Sequence, residues 1–114
     1  MKYKYRVEFI NIGGDKSFVF RLPEELWVVE IFLNSDIQCE ITGRKVIDYC
    51  RQVQNGKLKE KTFTGNNCSI TIKADYVQII DRYAYDGNNI CIIETSELEM
   101  LIEAFINEKE KNNF

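Results

Sequence analysis

The chain contains no histidine, a single proline and a single tryptophan among its 114 residues. Without histidine it lacks the usual general base near neutral pH and the commonest metal ligand. A Ser–His or Cys–His nucleophile is therefore excluded within this chain. No phosphate-binding loop is predicted, because Gly13-Gly14 is not followed by the helix that such a loop requires. These absences favour a binding protein over an enzyme, with no catalytic residue and no cofactor.

The four cysteines stand too far apart for a zinc site or a C-x-x-C redox pair. Their neighbours are apolar, and in such surroundings a free cysteine behaves as a small hydrophobic residue. We therefore expect reduced, buried thiols rather than a disulfide framework. The positions are Cys39, Cys50, Cys68 and Cys91.

No apolar run is long enough for a signal peptide or a membrane span. The longest such stretch, residues 26–33, is interrupted by Glu30 and is far shorter than the roughly 20 residues that a spanning helix needs. We therefore expect a cytoplasmic protein that does not bind membranes.

Carboxylate pairs are the remaining route to catalysis or metal binding. Glu99 and Glu103 are four residues apart on a helix face opposite an apolar stripe, so we expect water to solvate both. Exposed carboxylates titrate normally and are poor acids at neutral pH. Asp75, Asp81 and Asp86 lack the spacing of a calcium loop. No metal site is therefore predicted.

The patterning predicts a single α+β domain over residues 1–114, with a largely antiparallel sheet of five to seven strands and helices on one face. Gly13-Gly14 predicts an opening hairpin, because it separates two stretches of alternating apolar and polar residues. The strands are predicted at residues 2–12, 17–22, 37–41, 57–64, 68–73, 76–83 and 90–94.

Two helices are predicted. The internal helix covers about residues 43–55, with Thr42 as its cap, and presents one apolar face at helical spacing. The C-terminal helix covers about residues 96–110 and begins with a capping-box pattern at residues 96–99. An apolar stripe on this helix predicts that it packs on the sheet; its members are Leu98, Leu101, Ile102 and Phe105.

Residues 23–33 fit two structures. Pro23 followed by Glu24 and Glu25 is typical of the first turn of a helix. The following stretch is rich in β-branched and aromatic residues, which favours a strand. We favour the strand, at the centre of the sheet because both of its faces are apolar, and the helix stays open.

Charge is distributed in blocks along the chain, whose net charge is −3. Residues 22–43 contain five acids, no Lys or Arg, and the tryptophan, whereas residues 44–63 carry six basic and two acidic residues. One interpretation is mutual neutralisation, with Glu40 or Asp36 pairing with Arg44 or Lys45, although surface pairs contribute only about 0–1 kcal/mol each. Few aromatic residues accompany the basic block, so nucleic-acid binding is not predicted.

The other interpretation is that the acids present a surface to a basic protein. Like charges accelerate encounter with an oppositely charged partner, and exposed tyrosines are frequent anchors of protein interfaces. The lone tryptophan, between Leu26 and Val28, is more often a core residue. The predicted partner-binding residues are Glu24, Glu25, Glu30, Asp36, Glu40, Asp81, Tyr83, Tyr85, Asp86, Glu99 and Glu103.

Residues 69–81 have a strand–turn–strand pattern and residues 92–103 a strand–helix pattern. In this respect the chain resembles the small acidic immunity proteins of bacterial toxin systems, including contact-dependent growth inhibition. The resemblance implies a cognate protein toxin, often a nuclease with a basic substrate groove, whose active site the immunity protein covers. It covers about the last third of the chain and assigns no individual residue.

Two further hypotheses stay open. A non-catalytic assembly subunit would pair through an exposed strand at residues 57–64 or associate as a homodimer, although Lys57, Lys59 and Lys61 disfavour pairing at that edge. A carboxylate-based enzyme would need a deep pocket that holds two acids with raised pKa values.

Overall fold

The computed structural model describes residues 1–84 and 87–114, and within these ranges it has six strands in two sheets. A hairpin of β1 and β2 forms one sheet, and the other has the antiparallel order β3-β4-β5-β6. The α+β class is confirmed, but the expected single sheet of five to seven strands is wrong because the hairpin does not join the larger sheet. The strands are β1 (Arg6–Ile12), β2 (Asp15–Arg21), β3 (Lys61–Thr64), β4 (Cys68–Ile72), β5 (Tyr76–Asp81) and β6 (Ile90–Glu94).

Three α-helices occur in the described residues: α1 (Trp27–Ile31), α2 (Glu40–Gln54) and α3 (Thr95–Lys111). A 3₁₀ turn, Glu24–Leu26, precedes α1, and a π-helical turn, Phe32–Ile37, follows it. We refer to residues 24–37 together as the helical segment. The predicted internal and C-terminal helices are thus confirmed, with wider bounds than expected.

The favoured strand at residues 23–33 is wrong, because this stretch belongs to the helical segment. The segment lies between the hairpin and the larger sheet, where Val28, Val29, Phe32 and Leu33 are completely buried. Its buried residues Leu26, Val29, Leu33 and Ile37 follow a helical spacing. The partly exposed apolar residues Trp27 and Ile31 between them mask this period in the sequence. Burial outweighs the weak strand preference of its β-branched residues.

The predicted helix starts also need correction. The proposed strand at residues 37–41 is wrong, since α2 begins at Glu40 and Cys39 occupies its N-cap position. Thr42 is therefore inside the first turn rather than at the cap. The capping box at residues 96–99 is wrong as well, because α3 begins at Thr95 and its N-cap residue makes no side-chain cap hydrogen bond.

The larger sheet has two different faces. On the inner face, Ile70, Ile72, Val77, Ile79 and Ile93 are buried against the helices. Helices α1 and α3 pack on β5 and β6, and α2 packs on β4. The predicted apolar stripe of α3 is confirmed as buried. All described helices thus lie on one side of this sheet, as the sequence predicted.

The opening hairpin is confirmed. Gly13 and Gly14 have φ values of +58° and +90°, which the tight turn between β1 and β2 requires and which glycine adopts without strain. Phe18 and Phe20 meet the ring of Phe105 edge-on, at centroid distances of 5.8 and 5.6 Å. These contacts attach the hairpin to α3.

The cysteines are all reduced, as expected. Cys50, Cys68 and Cys91 are buried, but Cys39 is exposed, so the expectation of burial is wrong for that residue. Its position at the N-cap of α2 places the thiol outside the core.

Candidate partner-binding surface

Glu30 holds the helical segment against the end of β2. Its carboxylate accepts the backbone N–H of Leu22 at 2.8 Å and the guanidinium N–H of Arg21 at 3.1 Å. Only 20% of the Glu30 side chain is exposed. The charge of Glu30 is therefore matched inside the protein.

Asp36 and Asp81 meet around Asn67, in the turn that leads into β4. Asp36 accepts the backbone N–H groups of Asn67 and Cys68, each at 2.8 Å. Asp81 accepts the side-chain amide of Asn67 at 2.8 Å and the backbone N–H of Tyr83 at 3.0 Å. Asp81 is 6% exposed, so it lies in the interior rather than on the exposed acidic surface that the sequence suggested.

A second group of acids lies where α2 and α3 pack together. Arg44 donates to Glu103 and lies 3.8 Å from Glu40, and Arg51 lies 3.8 Å from Glu99. The expected pairing of Glu40 with Arg44 is thus confirmed. These contacts reduce the negative charge that this face offers to a partner.

Glu99 differs from the solvated residue that the sequence predicted. Its side chain is 17% exposed, and its Oε1 atom is buried without a hydrogen-bond partner among the described residues. Burial raises the pKa of this carboxyl above its usual value, and the nearby Arg51 opposes the shift. The expectation of full solvation is therefore wrong for Glu99, because this residue lies against the neighbouring helix.

Glu24 and Glu25 are the exposed acids of the helical segment. Neither side chain forms an ion pair or a hydrogen bond within the part of the chain that the structure describes. The Sγ atom of Cys91 donates to the backbone carbonyl of Glu25 at 3.1 Å, which holds this turn beside β6. The backbone of Glu25 therefore lies beside the β6 edge, on the side of the sheet that the helices cover.

Tyr83 is 60% exposed, and the guanidinium of Arg82 lies 5.3 Å from its ring centroid. It follows the end of β5, so the predicted strand at residues 76–83 is too long. Tyr85 and Asp86, which were also predicted to bind a partner, lie outside the described residues.

The outer face of the larger sheet carries no described helix. Two rows of uncharged side chains cross its four strands, as the strand register shows. Ile90 and Ile92 are 52% and 60% exposed at the β6 end of these rows. Adjacent strands lie about 4.8 Å apart, so the rows extend over about 15 Å. The rows are Thr62-Thr71-Gln78-Ile92 and Thr64-Ser69-Ile80-Ile90.

The same strand, β6, forms one edge of the sheet, because within the described residues it pairs only with β5. Asp81 donates its backbone N–H to the carbonyl of Asn89, and hydrogen-bonded pairs alternate in an antiparallel ladder. The backbone N–H and C=O groups of Ile90 and Ile92 therefore point away from β5. The opposite edge, β3, carries Lys61.

Sequence reasoning missed this outer face. Residues 90–93 of β6 are all apolar, so the sequence does not tell which side of this strand the helices cover. In residues 1–84 and 87–114, no group of three or more His, Cys, Asp or Glu side chains could hold a metal ion. None of the described helices combines the length and the apolar character needed to cross a membrane.

Comparison with known proteins gives one informative similarity. A protein from Bacillus cereus named "Immunity protein" is 35% identical to this chain over 103 residues. The matched region spans 90% of this chain and 84% of that relative, so the similarity extends over almost the whole fold. No family model matches the chain, and no solved structure matches it.

Proposed function

The chain belongs to the family of bacterial immunity proteins, and from this premise we propose that it neutralises its cognate toxin with the outer face of its four-stranded sheet. The prediction that the chain is not an enzyme is confirmed by the family, since an immunity protein inhibits its toxin without catalysing a reaction. We further propose that this face covers the active site of the toxin.

The observation that carries this proposal is the uncovered face around Ile92, where two adjacent rows of side chains are uncharged and Lys73 lies at the margin. Centres of protein interfaces are depleted in charged residues and enriched in tyrosine and other large side chains. Ile90 and Ile92 are more than half exposed, and Tyr76 is 45% exposed at the same end of the sheet. A depression of about 220 Å³ offers a place for a partner side chain, and it is lined by Thr71, Lys73, Tyr76, Gln78 and Ile92.

The face alone is too small for a stable complex. A specific interface buries roughly 800 Å² on each partner, which exceeds the area of two rows of four side chains. We therefore propose that the contact extends to Glu24 and Glu25 beside β6 and to Tyr83 at the end of β5. This arrangement gives an apolar centre with an acidic rim.

We propose that the toxin domain is basic, specifically a nuclease. The support is the net charge of −3 together with the exposed Glu24 and Glu25, which have no ion-pair partner in residues 1–84 and 87–114. Acids at the rim would accelerate the encounter with a basic active site. The resemblance to contact-dependent inhibition systems supports delivery of the toxin into the cytoplasm, where this protein would meet it.

Ile92→Arg tests the sheet face. The toxin that co-purifies with this protein from its native host is isolated, and its binding to wild type and variant is measured by calorimetry. We expect the dissociation constant to rise at least ~30-fold, as for loss of an interface hot spot of about 2 kcal/mol or more. Ile41→Arg is the matched control, because Ile41 is 83% exposed on α2, and it should bind like wild type. Equal binding by the Ile92→Arg variant would exclude this face.

Charge reversal tests the acidic rim. The double variant Glu24→Lys/Glu25→Lys should associate about 10-fold more slowly at low salt, and the difference should shrink as salt rises. The control is Glu60→Lys/Glu110→Lys, which makes the same change in net charge at exposed positions elsewhere. If both double variants associate with the toxin equally slowly, the effect comes from net charge, and the proposed acidic rim is rejected.

The nature of the toxin is tested separately. The purified toxin should degrade DNA or RNA, and an equimolar amount of this protein should stop the degradation. A toxin that leaves nucleic acids intact would reject the nuclease assignment without affecting the binding test at Ile92.

We propose a homodimer through β6 as a second candidate. It is favoured by the backbone groups of Ile90 and Ile92, which have no strand partner within the described part of the chain, and by the lack of lysine in β6. Two copies would join their sheets edge to edge. Sedimentation should then show a dimer at micromolar concentration that Ile92→Pro converts to a monomer. A monomer at all concentrations would contradict this candidate.

A further inference from the structure

A pocket of about 260 Å³ lies between α2, the π-helical turn and β3. Its floor is apolar, because Phe32, Ile37 and Val46 are buried there. The rings of Tyr49 and Phe63 line one wall, with their centroids 5.6 Å apart. The pocket therefore has the apolar lining that small-molecule and side-chain binding sites share.

Two lysines converge at the aromatic wall of this pocket. The ammonium of Lys61 lies 4.6 Å from the ring centroid of Tyr49, and that of Lys45 lies 6.0 Å from the same centroid. Neither lysine forms a salt bridge with a carboxylate of residues 1–84 or 87–114. By contrast, Arg21, Arg44 and Arg51 all do. Two positive charges thus lie near the Tyr49 ring without a carboxylate partner among the described residues, although the protein carries a net charge of −3.

The one carboxylate in the pocket lining, that of Asp36, does not form an ion pair with either lysine. Both oxygens of Asp36 accept backbone N–H groups, from Asn67 and Cys68, at 2.8 Å. The pocket keeps an excess of positive charge, and Thr42 and Thr64 also contribute to its lining. An ammonium ligand would be repelled by the lysines, and a bare phosphate would leave the apolar floor uncovered.

We propose that this pocket binds an apolar group that ends in a carboxylate. The apolar part lies on the floor beside Phe32 and Val46, and the carboxylate lies between Lys45 and Lys61. Burial of the apolar part and charge-assisted hydrogen bonds to the two ammonium groups both favour binding. The site is separate from the outer sheet face, since Phe63 is paired with Ile70 on the inner side. It goes beyond the proposed function and does not depend on it.

Hydrocinnamate, an aromatic ring joined to a carboxylate by a short chain, is the probe for this site. Its binding to the full chain is followed by nitrogen-15 NMR, with hydrocinnamide as the neutral analogue of the same shape. We expect chemical-shift changes at amides around the pocket, and at least about tenfold weaker binding of the amide. Equal affinity for the two probes, or shifts confined to other regions, would overturn the proposal.

Two double variants test whether Lys45 and Lys61 are the charges that bind the carboxylate. Lys45→Gln/Lys61→Gln should reduce hydrocinnamate binding about tenfold or more, toward that of the amide. Lys57→Gln/Lys59→Gln removes the same charge from exposed positions outside the pocket and should bind like wild type. The NMR spectrum of each variant reports whether the fold is intact. Unchanged binding by a folded Lys45→Gln/Lys61→Gln variant would also overturn the proposal.

The carboxylate could come from a free organic acid or from an acidic side chain of a protein. A blocked Leu-Phe-Glu peptide, which carries its carboxylate only on the side chain, separates these sources. Tighter binding of the peptide than of hydrocinnamate indicates a protein source, and the reverse order indicates a small organic acid. If neither ligand binds, the pocket is not a carboxylate site.

Discussion

The side-chain amide of Asn34 binds the backbone of Phe20 in both directions. Its oxygen accepts the N–H of Phe20 at 3.0 Å, and its nitrogen donates to the C=O of the same residue at 3.0 Å. Phe20 is completely buried in the last part of β2. Asn34, in the π-helical turn, thus makes the two backbone hydrogen bonds that a neighbouring strand would otherwise make with Phe20.

Asn34→Ala should therefore destabilise the protein. Removal of the amide leaves both backbone groups of Phe20 without their partners, and an unsatisfied buried polar group costs about 1–3 kcal/mol. Chemical denaturation measures the change in the free energy of unfolding. Asn107→Ala, at an exposed position of α3, is the control and should change stability by less than about 0.5 kcal/mol. Equal stability of the two variants would contradict this role of Asn34.

Gly43 allows α2 and α3 to approach each other closely. A Cβ atom at this position would lie 2.6 Å from Cδ1 of Ile106 and 3.2 Å from Cγ2 of Ile102. Gly to Ala in a helix normally stabilises by about 1 kcal/mol, but here overpacking should reverse the sign and cost about 1–3 kcal/mol.

A double-mutant cycle tests the role of Gly43. Ile106→Val removes the Cδ1 atom that the new methyl group would meet, so Gly43→Ala should cost less in that background, by about 1 kcal/mol. Thermal unfolding of the four proteins in the cycle gives the coupling free energy. A coupling near zero would contradict the close contact.

Glu94 should titrate at unusually low pH. Hydrogen bonds from the ammonium of Lys2 and the hydroxyl of Tyr3 lower the pKa of this carboxyl to about 2. A lowered pKa stabilises the folded state above the unfolded value of about 4.3, and this contribution is lost as pH falls toward the folded pKa. Carbon-13 NMR measures the titration directly. Lys2→Gln and Tyr3→Phe should each raise the pKa, and an unshifted wild-type titration would contradict the contacts.

Cys39 should be the thiol that reacts fastest in the folded protein. It is exposed, and hydrogen bonding from Thr42 lowers its pKa, whereas burial raises the pKa values of Cys50 and Cys68 to about 12. The thiolate is the nucleophile in alkylation. Cys39 should therefore be alkylated on the order of 100-fold faster, or more, than Cys50 and Cys68. Mass spectrometry after brief iodoacetamide treatment locates the modified residue. Cys39→Ser should abolish the fast phase, and Cys91→Ser should leave it unchanged.

Elements with a clear local pattern could be predicted from the sequence. The hairpin around Gly13 and Gly14 has the right turn residues between alternating stretches, and α3 has an apolar stripe at helical spacing. The helical segment was harder to predict, since the partly exposed apolar residues Trp27 and Ile31 mask the helical spacing of its buried residues. The start signals at Pro23, Glu24 and Glu25 were correct, but they were outweighed by the β-branched residues that follow.

The candidate surface was harder to predict than the fold. Glu30, Asp36 and Glu24 are equivalent in the sequence, as acids within one block. In the structure, Glu30 and Asp36 bind backbone N–H groups of other elements, whereas Glu24 faces water. Asp36 accepts the backbone N–H of Cys68, which is 32 residues away along the chain. No local sequence pattern predicts such a contact.

The sequence by itself determined that this protein has no histidine-based catalysis, that its thiols have no metal or redox spacing, and that it combines strands with at least two helices. These follow from residue identity and short-range periodicity. Only the tertiary structure decided which acids are matched internally and which face of the sheet the described helices leave uncovered. It also decided that two lysines without a carboxylate partner in residues 1–84 and 87–114 line one aromatic pocket. Each of these depends on which distant residues come into contact, because hydrogen bonding and burial act through space.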